Sequence, residues 1–332
     1  MTSTVRPPRD APSAFPFIRE RADPQLFHAA GRWHLLATDD RDGDNAHSPH
    51  LLIRRSSTID GLATAADIEL LRAGDHELTG CFWAPEAHVI GGRLRILFSP
   101  SVDGDGWTAV QAHIMTLRPG GDPAVPVDWE PPRRVTLADG CPLHASGEGI
   151  SLDMTYLQVR DDHYLIWSQR EVNPVLAPAG LWIAQIDPAK PERLVSEPCF
   201  ILAPQLPWEG DVLEGPFAIV RDGQVHLTYA AAVVGPDYVT GVATASLDSD
   251  LLDRASWRRR PDPALDSSTV PGEFGPGHVS FTEIDDELWM AYHAMPSRAP
   301  GPRHVGLRRV RFSPAGRLEL GSATLTPAGG AS

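Results

Sequence analysis

Along this chain apolar and polar residues alternate in short runs, as half-buried strands do, and glycines and prolines separate the runs. Stretches with a helical period are scarce. One short helical segment is expected at "DLLDRASW", Asp250 to Trp257, too brief to carry an architecture. The five strongest runs are "GRWHLLAT" from Gly31, "GRLRILFS" from Gly92, "DHYLIWSQ" from Asp162, "GQVHLTYA" from Gly223 and "DELWMAYH" from Asp286. Each opens on a Gly or Asp turn, and successive starts lie about 60 to 70 residues apart, the length a four-stranded blade with its loops requires.

Just upstream of each run is a second short strand carrying a polar group. These are "ADPQLF" (Asp23), "WAPEAHV" (Glu86), "LDMTYL" (Asp153), "EGPFAI" (Glu214) and "GPGHVSF" (His278). Asp23 to Gly31, Asp153 to Asp161, Glu214 to Asp222 and His278 to Asp286 each span eight positions. Five radially repeated antiparallel sheets predict an all-β, five-bladed β-propeller whose first strands line a central channel. A two-sheet sandwich also uses short alternating strands, but gives no reason for five equivalent polar positions. The expected divisions are an N-terminal extension over 1–19, one propeller over 20–325 and a tail over 326–332.

Asp23, Asp153 and Glu214 converging in a partly apolar funnel would repel one another, and desolvation would raise the pKa of at least one. That is the condition for acid–base chemistry, as in glycosidases that pair a proton-donating carboxyl with a second carboxylate. Singly, each has a plain turn-forming reading; turn chemistry does not explain their common register.

With 43 acidic against 29 basic side chains the formal charge is −14, which disfavours phosphate backbones and anionic membranes as partners. Neutral ligands such as sugars fit. The start lacks a secretory apolar core, and the expected location is cytoplasmic. Cys81, Cys141 and Cys199 are an odd number at wide spacings, which predicts reduced thiols without a zinc site.

Taken in order, "DP" at Asp23, "WAPE" at Trp83, "LDMT" at Asp153, "EGP" at Glu214 and "GPGH" at Gly275 resemble glycoside hydrolase family 43, the five-bladed arabinofuranosidases, xylosidases and arabinanases. The resemblance runs from about Asp23 to Leu320. It implies Asp23 as the general base that activates water, Asp153 as the residue that adjusts and orients the acid, and Glu214 as the general acid, with inversion at the anomeric carbon. The WMNDPN, RDP and EC signatures of invertase-like propellers are missing, which weighs against a fructosidase.

The implied activity is exo-acting removal of terminal α-L-arabinofuranose from small oligosaccharides. β-Xylosidase and β-galactofuranosidase are the nearest alternatives, and a non-catalytic sugar-binding propeller is the alternative of another class. No cofactor is required by this reading. The matching histidine in the family lies at the channel centre and often helps hold a hydrated calcium, so His278 is read either as holding a structural Ca2+ through water or as a neutral hydrogen-bonded histidine. Trp83 is expected to stack on a sugar face or to pack in the core. Arg303 is expected to contact sugar hydroxyls or to be a solvated strand residue. Glu86 is read as a hydrogen-bonding member of the substrate-facing channel wall. The acidic stretch "DDRDGDNAH" from Asp39 is expected to be a solvated loop, and "HSPH" from His47 to His50 a contributor to substrate selection at the rim.

Overall fold

The computed structural model describes residues 13–43, 48–104, 106–145 and 147–321. Its first strand, β1 (Ser13–Ile18), joins the last sheet of the molecule. The four-stranded blades then follow in chain order. Blade 1 is β2 (Arg21–Ala29), β3 (Arg32–Asp39), β4 (His50–Ser56) and β5 (Ile68–Arg72). Blade 2 is β6 (Leu78–Ile90), β7 (Arg93–Val102), β8 (His113–Thr116) and β9 (Arg133–Arg134). Blade 3 is β10 (Gly149–Val159), β11 (Asp162–Glu171), β12 (Gly180–Gln185) and β13 (Cys199–Leu202). Blade 4 is β14 (Leu213–Arg221), β15 (Gln224–Ala231), β16 (Val239–Ser246) and β17 (Arg258–Arg259). Blade 5 is β18 (Phe274–Ile284), β19 (Glu287–Met295), β20 (His304–Arg309) and, outermost, β1.

The inner strands β2, β6, β10, β14 and β18 touch in a closed ring, which is the propeller the repeat predicts. β1 pairs antiparallel with β20, Ala14 opposite Leu307, so residues within the expected N-terminal extension complete blade 5. Asp250–Trp257 holds only a 3-10 turn at Arg254–Ser256, started by Asp253 accepting the Ala255 N–H.

Hydrophobic burial follows the blade interfaces. Leu36, Ile53, Phe82 and Phe98 fill the space between blades 1 and 2. Ile90, Leu97, Met154 and Trp167 do so between 2 and 3, and Leu157, Ile183, Leu213 and Leu227 between 3 and 4. Phe217, Val242, Val279 and Tyr292 pack between 4 and 5, and Ile18, Leu26, Leu35 and Val305 close 5 onto 1. Apolar faces on both sides of each sheet leave the channel ends as the place where polar side chains gather. All three cysteines are free thiols.

The inner strands share a backbone device. Asp23, Ala84, Asp153, Gly215 and His278 all have left-handed backbone, with φ of 50°, 44°, 55°, 51° and 50°. The strand register breaks around each of them. Each stands eight residues before the second turn residue of its hairpin, namely Gly31, Gly92, Asp161, Gly223 and Asp286. A bulge with one residue left-handed re-aims a side chain, and Asp, His and Gly tolerate that conformation better than most residues.

This corrects two assignments of register. In blade 2 the equivalent of Asp23 is Ala84, not Glu86; in blade 4 it is Gly215, with Glu214 one residue before it. What repeats from blade to blade is the bend in the backbone, not the polar side chain.

Candidate active site

The bends bring Asp23, Asp153, Glu214 and His278 to one cavity of about 190 Å3, with Trp83 and Arg303 also on its wall. All five blades contribute these groups. Glu86 is not on that wall; it is buried, and its Oε2 lies 2.6 Å from His88 Nε2.

A second repeat fixes the bends. Seven residues after each turn stand Thr38, Ser99, Ser168, Ala230 and His293 on the neighbouring strands. Thr38 Oγ1 accepts the Ala84 N–H at 2.9 Å, Ser99 Oγ the Asp153 N–H at 3.2 Å, and His293 Nδ1 the Asp23 N–H at 3.2 Å. Each of these bonds holds the bent residue of the next blade. Ser168 instead donates to the Leu213 carbonyl at 2.8 Å, and the Gly215 N–H is taken by Asp153 Oδ2 at 2.9 Å. Gly215 is required for a further reason: a Cβ there would lie 2.9 Å from His278 Nδ1.

Asp23 is surrounded by donors. Thr38 donates to its Oδ2 at 2.7 Å, and Arg303 Nη1 donates to Oδ1 at 3.2 Å. His293 Nδ1 and His278 Nδ1 lie 3.0 and 3.3 Å from the same Oδ1. Arg303 is itself held by Asp40, through Nε and Nη2 at 3.2 Å and through its backbone N–H at 2.6 Å. Burial opposes ionisation of Asp23, yet the charges of Arg303 and His278 outweigh it and hold the carboxyl well below its usual range. Burial together with the Arg303 charge lowers His293 to about 4, so it is neutral.

Glu214 has different company. Tyr238 Oη donates to its Oε1 at 2.7 Å. Burial raises the Glu214 pKa, and the Asp23 charge adds to this; Tyr238, His278 and Arg303 oppose it without reversing it. Asp153 is pushed up to about 7, first by burial and then by the charges of Glu214 and Asp23, against the pull of His278 and the Gly215 N–H. Burial works to neutralise His278, but Asp23, Asp153 and Glu214 raise it above an ordinary histidine. An imidazolium facing carboxylates is the balanced arrangement.

Among the described residues no group of three or more His, Cys, Asp or Glu side chains is arranged to hold a metal. Calcium asks for six to eight oxygen ligands, and His278 offers Nδ1 to Asp23 and, at 3.9 Å, to Asp153. These residues fit a proton on His278 better than a directly bound ion.

Several contributors escaped sequence reasoning. Tyr238 lies in the β15–β16 connection, outside the repeat, and its ring is seated against Gly277, where a Cβ would fall 2.6 Å from it. Thr38, Ser99 and His293 carried a usable signal, their constant distance from the turns. Asp39 and Asp40, expected in a solvated loop, are buried: Asp39 pairs with Arg21 and Arg41, and Asp40 with Arg303. A buried guanidinium at each site demands a carboxylate. Residues 44–47 of that stretch, with His47 of "HSPH", lie outside the described residues. His50 Nδ1 is 2.7 Å from Glu69.

Residues 14–318 match the family described as Glycosyl hydrolases family 43. The "Extracellular exo-alpha-(1->5)-L-arabinofuranosidase" of Streptomyces chartreusis is 32% identical over 86% of this chain and 84% of its own length. "Alpha-L-arabinofuranosidase B" of Pyricularia oryzae is 31% identical over 83% of this chain, which spans only 55% of that protein. The crystal structure of an alpha-L-arabinofuranosidase from Lactobacillus brevis superposes with a TM-score of 0.79 at 26% identity, covering 92% of this chain and 95% of that one. The match over nearly the whole propeller, together with the carboxyl cluster, shows that the chain belongs to glycosyl hydrolases family 43, a family of glycoside hydrolases.

Proposed function

We propose that the protein is an exo-acting, inverting α-L-arabinofuranosidase with Asp23 as base, Glu214 as acid and Asp153 as the acid's positioning residue. The observation that carries this reading is the opposite treatment of two carboxyls in one cavity: Arg303, His278 and Thr38 favour the ionised form of Asp23, while burial favours the protonated form of Glu214. Asp23 takes a proton from water as the water oxygen bonds to the anomeric carbon. Glu214 gives its proton to the glycosidic oxygen as the carbon–oxygen bond breaks. One water is consumed, and the sugar leaves with inverted configuration.

Asp153 accepts the Gly215 N–H, next to Glu214 in the chain, so it fixes the backbone that carries the acid. A cavity of about 190 Å3 is small beside the roughly 300–1,000 Å3 of pockets for larger ligands. That size supports release of one terminal sugar. The arabinofuranosidases among the relatives support the choice of sugar.

Aryl α-L-arabinofuranoside, β-D-xyloside and β-D-galactofuranoside, offered to the wild type with product configuration followed by proton NMR, test the proposal. The expected result is preferential hydrolysis of the arabinofuranoside with β-arabinose as the first product. Retained configuration would overturn the mechanism; preference for the xyloside or galactofuranoside would overturn the sugar; binding without hydrolysis would leave a sugar-binding propeller.

A further inference from the structure

Two arginines reach the cavity wall, and they are provided for differently. Arg303 is buried and engaged by Asp23 and Asp40. Arg170, near the end of β11, is half-buried; among the described residues its side chain makes no hydrogen bond and no ion pair, and its Nε is buried without a partner. Two positions earlier on the same strand Ser168 also lines the cavity, and Ile150, opposite Arg170 on β10, does so too, so strand alternation directs all three to one space. An unsatisfied buried donor is costly, and a guanidinium offers five donors in a rigid fork.

The carboxyls that act on Arg170 electrostatically are Glu214 and Asp211. Asp23, with Arg303, is not among them. Arg170 therefore stands on the acid's side of the cavity. A general acid stands at the glycosidic oxygen, so that side faces the leaving group. The cavity wall also carries Val233, 73% exposed, beside Val234 on the loop that leads to Tyr238, the phenol that donates to Glu214.

Resting on the assignment of Glu214 as the acid, we propose that Arg170 is a specificity-determining residue that hydrogen-bonds oxygen atoms of a saccharide leaving group, while the exposed valines meet its apolar face. The ligand class is a glycosyl unit with free hydroxyl or carboxylate oxygens next to the scissile bond. An aryl leaving group offers the valines a surface and the guanidinium little to bind.

The test compares kcat/KM for an α-1,5-linked arabinobiose and a 4-nitrophenyl α-L-arabinofuranoside in wild type, Arg170→Ala and Arg170→Lys, with thermal melts to verify folding. The disaccharide-to-aryl ratio is expected to fall at least tenfold in Arg170→Ala, mostly through KM, and to recover partly in Arg170→Lys. Equal losses on both substrates would overturn the proposal, because Arg170 would then act through Glu214 or through the fold. A wild type inactive on both substrates would instead strike the arabinofuranosidase reading itself.

Discussion

Asp23 and Glu214 stand on the inner strands of blades 1 and 4 and share one cavity, yet the protein spends its hydrogen bonds on them unequally. Asp23 receives Thr38 and Arg303, with two imidazoles beside it, and Arg303 is braced by Asp40. Glu214 receives one phenol, from Tyr238, and keeps a raised pKa. Burial alone would push both upward. The difference teaches that the number of donors and cations within reach, not depth, decides which carboxyl can remain ionised at neutral pH.

Removing the charge on the well-supplied side should have the larger effect. Asp23→Asn is expected to lower kcat by roughly 10³-fold or more, the upper part of the range for a lost acid–base group, with an intact thermal transition separating lost chemistry from lost fold. Steady-state kinetics on an activated aryl arabinofuranoside would show it, and a loss under tenfold would break the comparison.

A smaller effect is expected on the other side. Tyr238 stabilises the ionised form of Glu214, so Tyr238→Phe should raise the acid's pKa further. Because activity needs Glu214 protonated, the alkaline limb of kcat/KM moves to higher pH, while kcat falls about fivefold for the loss of one hydrogen bond worth about 1 kcal/mol. The acid limb, set by Asp23, should stay where it is. Movement of the limbs in the opposite pattern would show that the two carboxyls had been assigned the wrong way round.

Much of this was legible in the chain. Alternation and turns locate the inner two strands of every blade, and the polar groups before them include Asp23, Asp153, Glu214 and His278, which the structure gathers in one cavity. Glu86 was misaligned because counting polar side chains does not see a left-handed backbone on Ala84. Closure by β1 was hidden because Ala14 and its partner Leu307 lie at opposite ends of the sequence. Tyr238 and Arg170 were missed for a related reason: one sits in a loop outside the period, and the other has no counterpart at its position in the remaining blades, where Asp40, Ser101, Ala232 and Met295 stand.

The central claim is that Glu214 delivers a proton to the leaving oxygen while Asp23 does not, and the leaving-group dependence of Glu214→Gln tests it most directly. Across aryl arabinofuranosides of increasing phenol pKa, the variant should stay within about tenfold of wild type on the most acidic phenol and fall roughly 10² to 10⁴-fold behind on the least acidic, since only the latter needs a proton. A uniform loss across the series, or the same steep dependence in Asp23→Asn, would contradict it.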